Sequence, residues 1–317
     1  MSRKQYEHLL RVRQRVNSVM SRKQYEHLLS VSQRVNSVSP AQWPYDDAQE
    51  MRERLLPAGC ATLRAEDGRY YRFVPRGGGS LHGYVQTRKR LTETDARRIF
   101  AQIVRVVAFC HAIGIVVRDL KLRKFVFADP EQKTIRLGSV SDLVVCENSD
   151  LLSDRHGCPA YVSPEVLNLH RRHYSGRSSD VWSLGVLLFV TLVGRYPFYD
   201  SNPAGLFGKI RTGQFWIPPE LGLGLGTRAL IRDLLRCRPE ERPTAWQLLA
   251  APWLQTGDGG RVFGGAAEEN NLQVTARRKS ERREEWEDRE EDQTVPCLPP
   301  DRLPPFSGNK RLECCGE

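Results

Sequence analysis

Thirteen consecutive residues, Val181–Val193 (VWSLGVLLFVTLV), carry no charge. The run falls short of the about 20 apolar residues that span a bilayer. It therefore reads as a helix apolar on every side, and such a helix is stable only when other elements surround it. Helical patterns follow at 203–211, 226–236 and 244–250, where Pro252 ends the last. Upstream, Thr92 with Asp95 makes a capping pattern for a helix to about His111, stopped by Gly114. Ile115–Val117, Phe125–Ala128 and Thr134–Leu137 read as short strands, with a turn at Asp129-Pro130. Further upstream there is room for one helix over 45–56. Two strands, Ala61–Arg64 and Arg69–Val74, then flank the hairpin signal Asp67-Gly68. Gly77–Gly79 makes a flexible joint.

The first 38 residues are a tandem repeat. Residues 1–19 recur as 20–38, with only Arg11/Ser30 and Arg13/Ser32 different. Apolar residues near helical spacing (Tyr6, Leu9, Leu10, Val16) allow a pair of helices, and two copies are too few for a solenoid. The repeat reads as a recent duplication, and no function is assigned to it. It holds eight Lys/Arg against two Glu, a large part of the formal net charge of +10. No aromatic-plus-basic array accompanies that charge, so nucleic acid is not an expected partner, despite Arg277-Arg278-Lys279. Eight cysteines form no C-x-x-C pair and no zinc spacing, and residues 1–20 lack the apolar core of a secretory signal. Reduced thiols in cytoplasm or nucleus are expected, with no membrane partner. Residues 268–293 are almost all charged or polar, and 294–317 are Pro-rich. Such a tail cannot build a core.

Five motifs carry the chemistry, in a fixed order over about 130 residues. They are Val117–Lys124 (VRDLKLRK), Pro159–Glu165 (PAYVSPE), Asp180–Gly185 (DVWSLG), Arg195–Phe198 (RYPF) and Arg236–Arg242 (RCRPEER). The first resembles the protein-kinase catalytic loop H-R-D-L-K-x-x-N, with Val117 in place of His and Lys124 in place of Asn. The second resembles the end of an activation segment. Phosphoryl transfer needs Mg²⁺, held by the Asp of D-F-G and by that Asn. Counting on from the strand at 134–137, the D-F-G position falls at Ser139-Val140-Ser141. A neutral hydroxyl is a poor ligand for Mg²⁺, and Lys124 puts a cation where a ligand belongs. No Gly-rich loop and no strand lysine precede Tyr70–Pro75, so a nucleotide would lack a roof. The expectation is no active catalytic residue, no Mg²⁺, and ATP binding weak or absent. Asp119 could still accept a proton or could simply hydrogen-bond loop backbone. Lys121 could meet a phosphate or a neighbouring carboxylate. Asp142 lies near enough to be a displaced metal ligand but is out of register, and it reads rather as a solvated loop residue. Glu165 with Arg242 is expected to form the buried pair that anchors the segment, with Asp180 also structural.

Six stretches resemble one group of kinase-like proteins, the Tribbles pseudokinases. They are VRDLKLRKFVF, HGCPAYVSPEVL, Tyr174–Gly185, GRYPF, AGLFGKIRTGQF and LLAAPWL. The resemblance covers about residues 59–257. It implies an α+β, protein-kinase-like fold, mostly the helical C-lobe, with a truncated N-lobe and a disordered tail. The expected division is a duplicated segment and linker (1–44), a remnant N-lobe (45–76), a C-lobe (77–257) and a tail (258–317). The resemblance also implies that a tail peptide, here Asp292-Gln293-Thr294-Val295-Pro296, recruits a COP1-type E3 ubiquitin ligase, although Cys297 stands where the family has an acidic residue. A second family segment binds MAP kinase kinases. Here it reads Gln247-Leu248-Leu249-Ala250-Ala251-Pro252-Trp253, with Ala251 in place of His. Its Leu248, Leu249, Pro252 and Trp253 could bind a partner or could pack a helix end into the lobe. The implied function is a scaffold in nucleus and cytoplasm for a transcription-factor client or a MAP kinase kinase or AKT-type kinase, restraining signalling. The alternative is a weak metal-independent kinase that uses Asp119 and Lys121.

Overall fold

The computed structural model describes residues 14–65, 68–75, 77–168 and 172–255, with backbone only for 14–18. The tail peptide, the tail as a whole and residues 1–13 lie outside these residues.

Strand β1 (Gln14–Met20) leads into helix α1 (Arg22–Asn36). Ser21 caps that helix reciprocally with Gln24, so two otherwise orphaned backbone N–H groups are satisfied. After α2 (Ala48–Leu55) come β2 (Ala61–Arg64) and β3 (Tyr70–Pro75). These three strands form one antiparallel sheet in the order β1-β3-β2. The pair of helices that the repeat allows is therefore not what the described residues form. The second copy is a helix, and the described part of the first is a strand paired along β3. Residues 14–19 and 33–38 are both QRVNSV, yet one is extended and the other closes α1. Tertiary pairing overrides local preference here. The small sheet thus draws its third strand from outside the expected 45–76 remnant.

Past Gly77–Gly79 the chain is dominated by helices. These are α3 (Leu81–Arg88) and α4 (Glu93–Ala112), then α5 (Gly176–Val193), α6 (Pro203–Thr212), α7 (Leu225–Leu234), α8 (Ala245–Leu249) and the single turn α9 (Pro252–Gln255). Helix α3 is an element that the sequence pattern did not predict. Helix α5 is long and apolar enough to cross a membrane, but 83% of it is buried inside the protein. It is the central rod of the lobe, against which α4, α7 and the loop strands pack. Its Gly194 C-cap takes φ 79, a left-handed value that glycine adopts without penalty. Here an added Cβ would also sit 2.5 Å from the Lys89 carbonyl oxygen.

Between α4 and α5 run six two- or three-residue strands. They are β4 (Ile115–Val116), β5 (Phe125–Phe127), β6 (Ile135–Leu137), β7 (Val144–Val145), β8 (Leu151–Leu152) and β9 (Tyr174–Ser175). They pair as three antiparallel ribbons, β4 with β7, β5 with β6 and β8 with β9. These ribbons hold the loops of the site. Helix α2 is tied to this half by Arg54, which donates 2.7 Å hydrogen bonds to Gln102 on α4 and to the Ile135 carbonyl on β6. Trp43 packs its ring edge-on against Phe109 of α4, with centroids 5.3 Å apart. A single buried cluster of apolar side chains runs from Leu28 and Val31 of α1 through to Trp253.

Candidate functional site: a loop with its metal positions filled

Ribbon β4–β7 brings the loop 117–124 against the segment 139–144. Asp180, 2% exposed at the start of α5, fixes the loop's entry. It accepts from the Val117 and Arg118 amides at 2.7 and 2.8 Å and sits 2.9 Å from His111 Nε2. With its amides so held, the backbone turns through positive φ at Arg118 (55) and Asp119 (27), values uncommon for side-chain-bearing residues. The turn aims Asp119 inward. Its Oδ1 accepts the Cys158 amide at 2.9 Å, and its Oδ2 pairs with Lys121 Nζ at 2.6 Å. Both carboxylate oxygens are thus engaged in holding the loop to the 156–158 turn. Lys121 meets a carboxylate, the second of the two roles it could have.

The metal positions show the departure from kinase chemistry. Ser139 Oγ is 2.8 Å from Ser141 Oγ and accepts the Ser141 amide, a local hydroxyl turn. Lys124, only 4% exposed, reaches across, and its ammonium donates to Asp142 Oδ2 at 2.5 Å. Asp142 Oδ1 lies 3.2 Å from His156 Nε2. The reading of Asp142 as a solvated loop residue is corrected, because it is the counter-ion of the replaced ligand. Burial by itself raises its pKa, but the His156 hydrogen bond and the Lys124 charge and hydrogen bond outweigh that and hold its carboxyl far below the usual range. A protein ammonium therefore occupies the place of a metal cation and has its own carboxylate partner. These residues do not fit Mg²⁺, since one ligand position is a neutral hydroxyl and the other repels a cation.

This pair yields a prediction. Lys124→Met leaves the partly buried Asp142 with only His156 and a long Ser141 hydroxyl contact, and should cost about 1–3 kcal/mol in urea unfolding at pH 7. A depressed carboxyl contributes stability above its unfolded pKa of about 3.9 and loses it as pH falls towards its folded value. The wild type should thus lose stability on acidification below about pH 4, and Lys124→Met should lose less over the same interval. Equal acid slopes for the two proteins would show that the pair does not form.

The anchoring residues lie beneath. Arg242 Nη1 and Nη2 donate to the two Glu165 oxygens, both at 2.7 Å, in a fork with side chains 0% and 3% exposed. The remaining donors of Arg242 reach the Arg236, Ser178 and Cys237 carbonyls. Segment 247–253 alternates between the lobe and solvent. Leu248 and Trp253 are buried, Leu249 is half-buried and Pro252 is exposed. As binding anchors, Leu248 and Trp253 are already committed to the lobe. Sequence reasoning missed the Lys124–Asp142–His156 group, because its members lie 18 and 14 residues apart. The one signal that could have found it is a cation at a ligand position beside an out-of-register Asp.

Residues 64–254 match the protein kinase domain. The chain is 53% identical to Tribbles homolog 1 of Homo sapiens over 199 residues, covering 62% of this chain and 53% of that protein. It is 51% identical to Tribbles homolog 2 of Bos taurus over 216 residues, 65% of this chain and 62% of that one. It is 49% identical to Tribbles homolog 3 of Mus musculus over 193 residues, 61% and 53% of the two chains. The chain spans between about half and 62% of the length of these relatives. The ordered motifs, the α+β lobe built on a buried α5 and the replaced metal positions agree with these matches: the chain belongs to the Tribbles pseudokinases of the protein kinase family.

Proposed function

We propose that this protein works as a scaffold rather than as a phosphotransferase. The lobe docks a client, either a transcription factor or a MAP kinase kinase or AKT-type kinase. The tail peptide Asp292–Pro296 brings a COP1-type ubiquitin ligase to it, and signalling is restrained as a result. The observation that carries the first half is the Lys124–Asp142 ion pair in the metal position. Loss of one preorganised electrostatic group costs about 10²–10³ in rate, and here both ligand positions are replaced. The engagement of Asp119 by Cys158 and Lys121 supports a structural role over a general base. The tail half rests on the peptide sequence.

The test is a pull-down with the full chain, intact and lacking 292–297, and with Gln293→Ala plus Pro296→Ala. The deletion and the double substitution should each lose the ligase while the client stays bound. Undiminished ligase capture by both variants would remove the tail from the reading. Radiolabelled phosphate transfer in EDTA that disappears in Asp119→Asn would favour the metal-independent kinase instead.

A further inference from the structure

A cavity of about 410 Å³ opens between α1 and the segment 139–144, on the side of the loop that faces the small sheet. Its volume is within the range of sites for small organic ligands. Its lining includes the apolar side chains of Met20, Leu28, Val140 and Leu143. The same lining holds three cations, Lys23, Arg72 and Arg118, and two histidines, His27 and His156.

The charges of this lining do not balance. Among the described residues Asp142 is the one carboxylate in the lining, and it is already matched by Lys124 and His156. Arg118 is held by Asp154 at 2.5 Å. Arg72 is 6% exposed, and among the described residues its side chain makes no hydrogen bond or ion pair. The direction of its side chain follows from the pleat. Residues two apart on a strand share a face, and Tyr70 on that face stacks on Tyr25 of α1 with ring centroids 4.1 Å apart. Arg72 therefore projects into the space between sheet and helix, where the cavity lies. Lys23, one turn before His27 on α1, is exposed and also has no partner among the described residues. An unmatched guanidinium in a nine-tenths buried position is costly unless something pairs with it.

We infer that this cavity binds a small phosphomonoester carried on an apolar, ring-sized body. The planar fork of Arg72 fits two phosphate oxygens. A phosphomonoester carries about −1.5 to −2 charges at pH 7, which Arg72 and Lys23 together neutralise. The apolar lining residues take the ring. The site does not depend on the tail or on any metal.

Titration calorimetry of the full chain with phenyl phosphate, in EDTA, tests this. Wild type should bind. Arg72→Met, which keeps the stem and removes the charge, should weaken binding at least about tenfold. Lys23→Ala, at an exposed helix position, should weaken it by a smaller factor. Inorganic phosphate should bind more weakly than phenyl phosphate, since it lacks the ring. A phosphotyrosyl peptide run in parallel separates the sources. Binding of phenyl phosphate alone assigns the site to a free ligand, and binding of both with the same dependence on Arg72 assigns it to a phosphorylated side chain. A second reading comes from thermal unfolding in phosphate-free buffer, where Arg72→Met should be as stable as wild type or more so. Three results would overturn the inference: no binding of phenyl phosphate at roughly 10 mM, equal affinity in Arg72→Met, or a clear loss of stability in that variant without ligand.

Discussion

Glu165→Ala is expected to lower the unfolding free energy by about 3–5 kcal/mol, because it leaves the Arg242 guanidinium buried without its carboxylate. For a lobe of this size that corresponds to a fall in Tm on the order of 10 °C. The magnitude follows from the geometry. Both Glu165 oxygens are engaged at 2.7 Å by a guanidinium that is 0% exposed and that also satisfies three carbonyls. Removing the carboxylate keeps the desolvated charge and takes away its match. Arg242→Met should cost as much or more, since it orphans Glu165 and also releases the Arg236, Ser178 and Cys237 carbonyls. The informative measurement is the double variant Glu165→Leu with Arg242→Met. It should be more stable than the sum of the single losses, by 1 kcal/mol or more, because no buried charge then remains unpaired. Strict additivity in urea unfolding would mean that the two side chains do not act as a pair. The pair joins the 159–165 segment to the loop between α7 and α8, so near-wild-type stability of Glu165→Ala would also question the placement of that segment.

Trp253→Ala is the second large effect, with an expected cost of about 3–5 kcal/mol. The indole is 7% exposed, edge-on to Phe100 at 6.1 Å and beneath the Arg97 guanidinium at 5.1 Å. Its Nε1 donates to Thr227 Oγ1 at 2.6 Å, and Thr227 Oγ1 in turn donates to Glu93 Oε2 at 2.8 Å. The other oxygen of Glu93 accepts the Gly224 amide. One side chain thus closes a chain from α9 through α7 to the start of α4. The substitution leaves a cavity and takes from the Thr227 hydroxyl one of its two hydrogen bonds. Pro252→Ala, one residue away but exposed, should stay within about 0.5 kcal/mol of wild type. The contrast separates the two roles of this segment. If it binds a MAP kinase kinase, Pro252→Ala reduces capture of that kinase at unchanged Tm, whereas Trp253→Ala reduces it only in proportion to unfolding. An unchanged Tm for Trp253→Ala would show that the indole does not pack into the lobe.

Much of the lobe was legible in the residues. The capping pattern at Thr92 and Asp95 opens α4 as expected, with the Asp95 amide on Thr92 Oγ1. The turn chemistry at Gly68 and Gly114 ends elements where expected, both with left-handed φ. Strands β2 to β6 fall within a residue or two of their patterns, because periodicity and breakers are local signals. Helix α3 was not legible. Its sequence, LHGYVQTR, has a weak apolar face and a glycine within it, and only its packing against the 122–127 stretch makes it helical. Strand β1 was not legible either, for a stronger reason: a copy of the same six residues is helical elsewhere in the chain.

The order of the motifs and the loss of both metal ligands were determined by the sequence alone, because each is a statement about which chemical group stands at a position. A serine hydroxyl and a lysine ammonium are poor ligands for Mg²⁺ wherever the backbone puts them. Only the tertiary structure decided what fills the space that is left. Lys124 reaches Asp142, Asp142 reaches His156, Arg72 faces a cavity without a partner among the described residues, and one copy of QRVNSV becomes strand because β3 offers it an edge. Each of these depends on groups distant in sequence meeting at a few ångströms. Coulomb attraction, burial and backbone pairing act through that separation, and local sequence pattern does not encode it.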